Sequence, residues 1–275
     1  MAFHLRTAQI PVLAAGARPI RILHFSDLHL TPSRKVEIAD IRSWVDLQPD
    51  LVISTGDFLA HRGAVPVALS ALDRLLDIPG LYVFGSNDYY APKLKNPLKY
   101  LLPDNGNRKH GPELPWGELD KGLAKRGWRN LNRSRITLKI NDTIIEARGT
   151  DDAHLDRDDY PLVAGAPRSD IDLAIGVTHA PYLRVIDAMA ADKLAVIFAG
   201  HTHGGQVRLP LPSFLGGSRA LTTNCDLPTW RARGLSKVAD QPWLHVSAGV
   251  GTSPFTPFRL ASPPEATLIT LIDSN

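Results

Sequence analysis

Leu194-Ala195-Val196-Ile197-Phe198-Ala199-Gly200-His201-Thr202-His203-Gly204-Gly205-Gln206 is an apolar run that ends in two imidazoles and a cluster of glycines. A short apolar run closed by glycine reads as a buried strand. Two histidines one residue apart, just past the strand end, can both reach one polar cavity. The glycines let the backbone turn tightly beside them. Neutral imidazole is the commonest metal-binding side chain, so the pair calls for further ligands elsewhere in the chain.

Working upstream, the same arrangement recurs. Ile20-Arg21-Ile22-Leu23-His24-Phe25 reads as a strand ending at Ser26-Asp27-Leu28-His29, and Leu51-Val52-Ile53-Ser54 as one ending at Thr55-Gly56-Asp57. Leu81-Tyr82-Val83-Phe84 leads into Gly85-Ser86-Asn87-Asp88, and the apolar run from Ile171 to Val177 leads into Thr178-His179. Helical spacing is expected at about 34–47, 65–77 and 117–126. The order β-α-β-α-β predicts a parallel sheet with helical crossovers, whose ligands collect beyond the carboxyl ends of the strands. Ile136 to Ile140 and Thr143 to Ala147 flank Asn141-Asp142 as a hairpin, and strands over 244–247 and 266–272 close the chain.

Composition narrows the function classes. The net charge of +3 comes from 31 basic and 28 acidic residues, a small excess that gives no evidence for a nucleic-acid partner. Trp116, Trp128, Trp230 and Trp243 lack interleaved basic residues and read as packing rather than a base-stacking platform. Cys225 stands alone, which excludes an intrachain disulfide, a thiolate zinc site and an iron–sulfur cluster. No apolar run approaches the ~20 residues of a membrane span, and the N-terminus has no signal-peptide core. The expectation is a cytoplasmic protein, with peripheral membrane association left open. One domain over residues 1–275 is expected, with an irregular arm at 1–18 and long loops at 89–116 and 210–242. The first loop carries Lys93, Lys95, Lys99, Arg108 and Lys109, either as a solvated flap or as a lid that steers phosphate or faces lipid.

Taken singly, Asp27-x-His29 fits a helix cap beside a surface histidine, Gly56-Asp57 a turn, and His179 a buried structural histidine. Together, five segments in one order end predicted strands and carry hard or borderline metal ligands. The series Asp27-x-His29, Gly56-Asp57, Gly85-Ser86-Asn87-Asp88, His179 and Gly200-His201-x-His203 resembles the calcineurin-like metallophosphoesterase superfamily over roughly residues 19–272. The extended Gly-His-Thr-His-Gly-Gly-Gln form, Gly249-Val250-Gly251-Thr252-Ser253 and Pro263-Pro264-Glu265 resemble a bacterial phosphodiesterase-like branch. That branch includes relatives acting on lipid-linked pyrophosphates.

The resemblance implies an α/β fold, a layered sheet sandwich with flanking helices and a dinuclear metal site at the strand ends. By the same resemblance Asp27, His29 and His203 hold one ion, and Asp57 bridges to a second held by His179, His201 and the third segment. The oxygen and nitrogen donors suit Mn, Fe, Zn, Ni or Mg, and two such ions supply water activation and charge neutralisation at phosphorus. The implied activity is hydrolysis of a phosphodiester or pyrophosphate, lipid-linked substrates included, with Asp57, Asn87 and Asp88 as candidate catalytic residues. The family usually reads Gly-Asn-His-Asp or Gly-Asn-His-Glu in the third segment. Here the ungapped match puts Ser86 at the ligand asparagine and Asn87 at the histidine. Either Ser86 or, by a one-residue shift, Asn87 supplies the second ion, an amide oxygen being the better uncharged ligand. The usual histidine is missing in both readings. That leaves a metal-binding or regulatory protein with little turnover as the rival, and a nuclease as a third possibility.

Overall fold

The structure, a computed structural model, describes residues 4–34, 36–93, 110–211, 218–238 and 242–274. The chain runs through β1 (His4–Leu13), β2 (Ile20–Phe25), α1 (Val36–Ser43), β3 (Leu51–Ser54), α2 (Val65–Leu72), β4 (Gly80–Tyr82) and α3 (Ser86–Tyr89). It continues through α4 (Trp116–Lys125), β5 (Arg129–Asn130), β6 (Ser134–Ile140), β7 (Thr143–Gly149), β8 (Leu173–Val177), α5 (Leu183–Ala191) and β9 (Val196–Ala199). The last strands are β10 (Arg208–Pro210), β11 (Ser218–Ala220), β12 (Gly234–Lys237), β13 (Trp243–Val246) and β14 (Glu265–Asp273).

Two six-stranded sheets face one another, in the orders β1-β14-β2-β3-β4-β5 and β12-β13-β9-β8-β7-β6. Strands β2, β3, β4 and β5 run parallel, as do β13, β9, β8 and β7, in line with the βαβ pattern. Period-two alternation sorts the core. Ile20, Ile22, Leu51 and Ile53 meet Ile175, Val177, Val196 and Phe198 between the sheets. Leu23, Phe25 and Val52 turn the other way, onto a layer with Ala68, Leu72, Leu119 and Leu123 from α2 and α4. On the outer face of the second sheet, Ile197, Leu244 and Val246 pack with Val185, Ile186 and Met189 of α5. The result is the expected sandwich of helices, two sheets and helix, with parallel strand ends of both sheets converging on one edge.

Three expectations are corrected. Residues 4–13 of the arm form the edge strand β1, parallel to β14, with His4 opposite Glu265. Only Ile10 and Leu13 of this strand are fully buried, so it shows no alternation to read, and its partner lies at the far end of the chain. Pro11 is tolerated because an edge strand need not donate every N–H. The 210–242 loop contains β12, which extends the second sheet antiparallel to β13, and its start and middle form the β10–β11 pair. These strands are three or four residues long and announce themselves only by pairing. Trp230 is 64% exposed rather than packed, with Arg231 over its ring. Lys95, Lys99, Arg108 and Lys109 lie outside the described residues, and Lys93 is exposed. No helix of the described residues is long and apolar enough to cross a membrane.

Candidate metal centre

The loops after β2 and β3 are laddered onto each other beyond the sheet. Asp27 N–H donates to Gly56 O at 2.9 Å, His29 N–H to Asp57 O at 3.0 Å and Leu30 N–H to Phe58 O at 2.8 Å. Within them the backbone is left-handed at Asp27 (φ 55°), His29 (φ 44°) and Asp57 (φ 57°), and again at His201 (φ 68°) and His203 (φ 50°). That conformation is uncommon for residues other than glycine, and it concentrates at functional loops held by their surroundings. It turns successive side chains of each loop inward. Close approach demands glycine at 85, where a Cβ would lie 2.5 Å from His179 Cε1 and against Asp57 Oδ1.

The side chains converge on Asp57. Its Oδ2 is 3.6 Å from His29 Nε2 and 3.6 Å from His179 Nε2. His203 Nε2 is 3.2 Å from His29 Nε2 and 3.6 Å from Asp27 Oδ1, and His201 Nδ1 is 3.3 Å from His179 Nε2. Two groups have ligand atoms all within 4.8 Å of one another, Asp27 with His29 and His203, and Asp27 with Asp57 and His179. Asp27 Oδ1 is buried without a hydrogen-bond partner. A buried carboxylate oxygen beside facing imidazole nitrogens makes a poor core and a fitting cation cradle.

An outer contact orients His179, whose Nδ1 donates to Thr55 O at 2.6 Å, while His201 Nε2 lies against Asn224, 3.2 Å from its O and 3.3 Å from its Nδ2. That leaves His179 Nε2 toward His201 Nδ1 and Asp57 Oδ2, free to ligate once the ring is neutral. His203 differs. Its Nδ1 faces Arg259 Nη2 at 3.1 Å, and a guanidinium only donates, so the ring must give up that contact to ligate through Nε2 as a neutral imidazole.

Burial dominates the electrostatics. It holds His29 down at about 4 and, with the Arg259 charge, His203 well below the usual histidine value. Burial raises Asp27 to about 6. Burial also opposes the charge on His179, but Asp57, Asp152 and Asp27 outweigh it and lift that imidazole to about 9. For Asp57 burial pushes up, while His179, His29 and the two Asn87 hydrogen bonds hold the carboxyl below its ordinary value.

Asn87 enters the cluster and Ser86 stands behind it. Asn87 Nδ2 donates to Asp57 Oδ2 at 2.7 Å and its backbone N–H to Oδ1 at 2.8 Å, while Ser86 Oγ is 3.5 Å from the Asn87 amide. The amide therefore presents its nitrogen, not its oxygen, to the carboxylate. Asp88 is held by backbone donors. Its Oδ2 accepts from Asp57 N (2.8 Å) and Gly85 N (3.0 Å), and its Oδ1 from Phe58 N (2.8 Å) and Leu59 N (3.1 Å). Burial and the Asp57 charge push this carboxyl up to about 8, against the N–H donors. Accepting two N–H groups on each oxygen fits the ionised form, which clamps the Asp57 loop and does not face the cluster. The Asp151-Asp152-x-His154 turn supports the site from outside, with the His154 ring centroid 4.5 Å from that of His201 and its Nδ1 3.1 Å from Tyr182 Oη.

Arg259, Arg34, Asn224 and Thr55 escaped the sequence reading. Thr55 stood in the Thr55-Gly56-Asp57 segment without a role, and Arg259 had a signal nearby in the glycine-rich Gly249–Ser253 run, whose carbonyls it binds at Gly249 and Gly251.

Comparison with known proteins agrees with this geometry. The calcineurin-like phosphoesterase pattern matches residues 20–205, and the chain belongs to that family. It is 27% identical over 256 residues to the uncharacterized metallophosphoesterase YkoQ of Bacillus subtilis, covering 91% of this chain and 83% of the relative. It is 28% identical over 275 residues to the uncharacterized protein YpbG of the same organism, covering 98% and 87%. The UDP-2,3-diacylglucosamine pyrophosphatase LpxG of Chlamydia trachomatis is 25% identical over 297 residues, covering 94% and 86%. The protein is thus a hydrolase of phosphoester bonds that works with metal ions, and its Asp and His groups are positioned to bind them.

Proposed function

We propose that the chain hydrolyses a phosphodiester or pyrophosphate with two metal ions, manganese among the ions that suit its donors. One ion is assigned to Asp27, His29 and His203, the other to Asn87, His179 and His201, with Asp57 between them. The observation that carries this reading is the position of Asp57 Oδ2, 3.6 Å from an imidazole nitrogen of each set. When bound, such a pair supplies water activation and neutralisation of charge at phosphorus. The chain's own residues do the rest. Burial keeps His29 and His203 neutral, His203 ligating once it releases Arg259, Thr55 and Asn224 position His179 and His201, and Asp88 fixes the loop that offers Asp57. Ligation by Asn87 requires its amide to turn its oxygen inward, a 180° exchange of two near-identical groups.

A neutral amide at position 87 cannot give a proton to a leaving group as an acid would. Substrates whose leaving group departs as a weak base fit best, and a phosphate leaving from a pyrophosphate is one. The pyrophosphatase name of the Chlamydia trachomatis relative supports that choice and brings lipid-linked substrates with it. A cytoplasmic location with peripheral membrane contact accords with such a substrate. The test is a screen of manganese-loaded protein against monoesters, diesters, nucleotides and lipid pyrophosphates. Turnover of a diester or pyrophosphate is expected, lost on chelation and restored by metal. Full metal loading with no turnover of any class favours the regulatory, metal-binding reading, which the replaced histidine supports.

A further inference from the structure

Behind the metal-binding edge, two imidazoles meet inside the core. His24 of β2 and His245 of β13 reach toward each other from opposite sheets, and their Nδ1 atoms lie 2.7 Å apart. Period-two alternation puts His24 on the face of Ile20 and Ile22, and His245 on the face of Trp243, in the layer between the sheets. Both are buried, with the Phe198 ring edge-on to His24 at 5.2 Å. Burial, joined for His24 by the neighbouring His245, holds both rings well below the usual histidine value, so both are neutral. One Nδ1 of the facing pair therefore donates and the other accepts.

Two apolar side chains of the same shape would fill this space at little cost, because exchanging both partners of a buried hydrogen bond for apolar groups is close to neutral. What the imidazoles add is the second nitrogen of His24, 3.1 Å from Thr55 Oγ1. Three ligand segments meet at Thr55. Its carbonyl accepts from His179 Nδ1 at 2.6 Å, and its N–H donates at 3.1 Å to Phe25 O, just ahead of Ser26-Asp27. Gly200, which precedes His201, passes so close that a Cβ there would stand 2.8 Å from Thr55 Oγ1. Gly56 follows with φ 91°, and glycine tolerates either sign of φ, so the Thr55–Gly56 peptide has little local resistance to turning. A β-branched side chain is stiff at χ1, and its rotamer is tied to φ and ψ. A Thr55 hydroxyl held against His24 thus also holds the backbone that carries the carbonyl.

We propose that the His24–His245 pair positions His179: it holds the Thr55 hydroxyl and, through the Thr55 carbonyl, keeps His179 Nε2 directed at Asp57 Oδ2 and the ion between them. Both imidazoles are positioning residues that act from the core. The inference rests on the reading of His179 as a metal ligand and adds two residues that govern it.

Thr55→Val tests this most directly, since it deletes the hydroxyl, keeps the shape and leaves the imidazole pair in place. His24→Phe cuts the chain one step further back, and Thr55→Ser keeps the hydroxyl. In metal-free full-length protein with isotope-labelled histidine, nuclear magnetic resonance reads the His179 Nδ1–H proton, assigned by its absence from His179→Ala. A donor 2.6 Å from its acceptor should give a downfield, slowly exchanging signal in wild type and Thr55→Ser. In Thr55→Val and His24→Phe the signal should move upfield and exchange faster. Calorimetric titration with manganese then reads the ion on His179 in a His29→Ala background and the other ion in a His179→Ala background. The first should bind about 10–100-fold more weakly in Thr55→Val and His24→Phe, the usual cost of losing an outer partner of a ligating histidine, and the second should change little. Should His24→Phe fail to fold, Thr55→Val and Thr55→Ser carry the test. A wild-type resonance and affinity in Thr55→Val overturn the proposal, as does equal weakening of both ions, the mark of a general loss of stability. If wild-type protein binds no metal, the two-metal reading fails, and the His179 resonance still decides whether the pair positions that ring.

Discussion

Replacing Asp88 with asparagine separates a clamp from a catalytic acid. The carboxylate takes four backbone N–H groups, two on each oxygen, at 2.8–3.1 Å. Asparagine keeps one oxygen and turns an NH₂ toward the other pair, so two fully buried donors lose their acceptor. Each orphaned buried donor costs about 1–3 kcal/mol, which puts Asp88→Asn at about 2–6 kcal/mol. Against the roughly 5–15 kcal/mol that holds a domain together, this is a large fraction. With a urea m-value of about 2–3 kcal/mol/M, a loss of about 4 kcal/mol lowers the unfolding midpoint by about 1.3–2 M. The measurement is urea unfolding by circular dichroism in the presence of chelator, so that metal linkage does not enter. The same variant should hold metal more weakly, because three of the four donors belong to Asp57, Phe58 and Leu59. An Asp88→Asn protein with the wild-type midpoint and metal content but no turnover would refute the clamp and restore a direct chemical role.

Asp57→Ala should reduce metal content from two ions toward none by elemental analysis, whereas His29→Ala and His179→Ala should each remove mainly one; unchanged binding in Asp57→Ala sinks the bridging assignment. His179, lifted to about 9, carries a proton at pH 7 that must leave before its Nε2 can ligate. Metal binding should therefore release one proton from it, and affinity should rise about tenfold per pH unit until about pH 9. His29, held at about 4, contributes none above pH 5; calorimetry in buffers of different ionisation enthalpy that finds no proton release at pH 7 contradicts this. Rates across diesters of graded leaving-group basicity should fall steeply, and Asn87→His should flatten the slope, since general acid catalysis is worth ~10²–10⁴-fold. A flat wild-type slope would mean that another acid, such as His61 or His154, has replaced the missing histidine.

What the residue order exposes is the part of the site that repeats a local pattern. An apolar strand that ends in Asp-x-His, Gly-Asp or His-x-His is visible wherever it falls, and parallel strands with helical crossovers bring those ends to one edge. Asp27, His29, Asp57, His179, His201 and His203 were legible for this reason. Strand β1 was not, because its pairing with β14 joins residues at opposite ends of the chain and leaves most of its side chains exposed. The Asn87 amide orientation and the Arg259 contact to His203 were equally hidden, since both depend on loops that meet only after both sheets have closed.

The backbone at the ligands shows why local reading stops short of the mechanism. Asp27, His29, Asp57, His201 and His203 all adopt positive φ, and such a conformation costs of order 1 kcal/mol or more at each. No propensity scale would place a run of non-glycine residues there, and nothing within these loops alone would keep them so. The conformation persists because long-range bonds over-determine it. Asp88 grips the Asp57 loop, the Asp27 and Asp57 loops are laddered, and Gly251 N–H closes on Asp27 O at 2.7 Å. Gly249, itself at φ 71°, leaves room for this because a Cβ there would stand 2.8 Å from that of Asp27. A strained ligand loop held from three sides resists relaxing toward a misplaced ion, so the scaffold as well as the donors would restrict how ions are held. Loosening any one of those sides should therefore cost metal affinity before it costs fold.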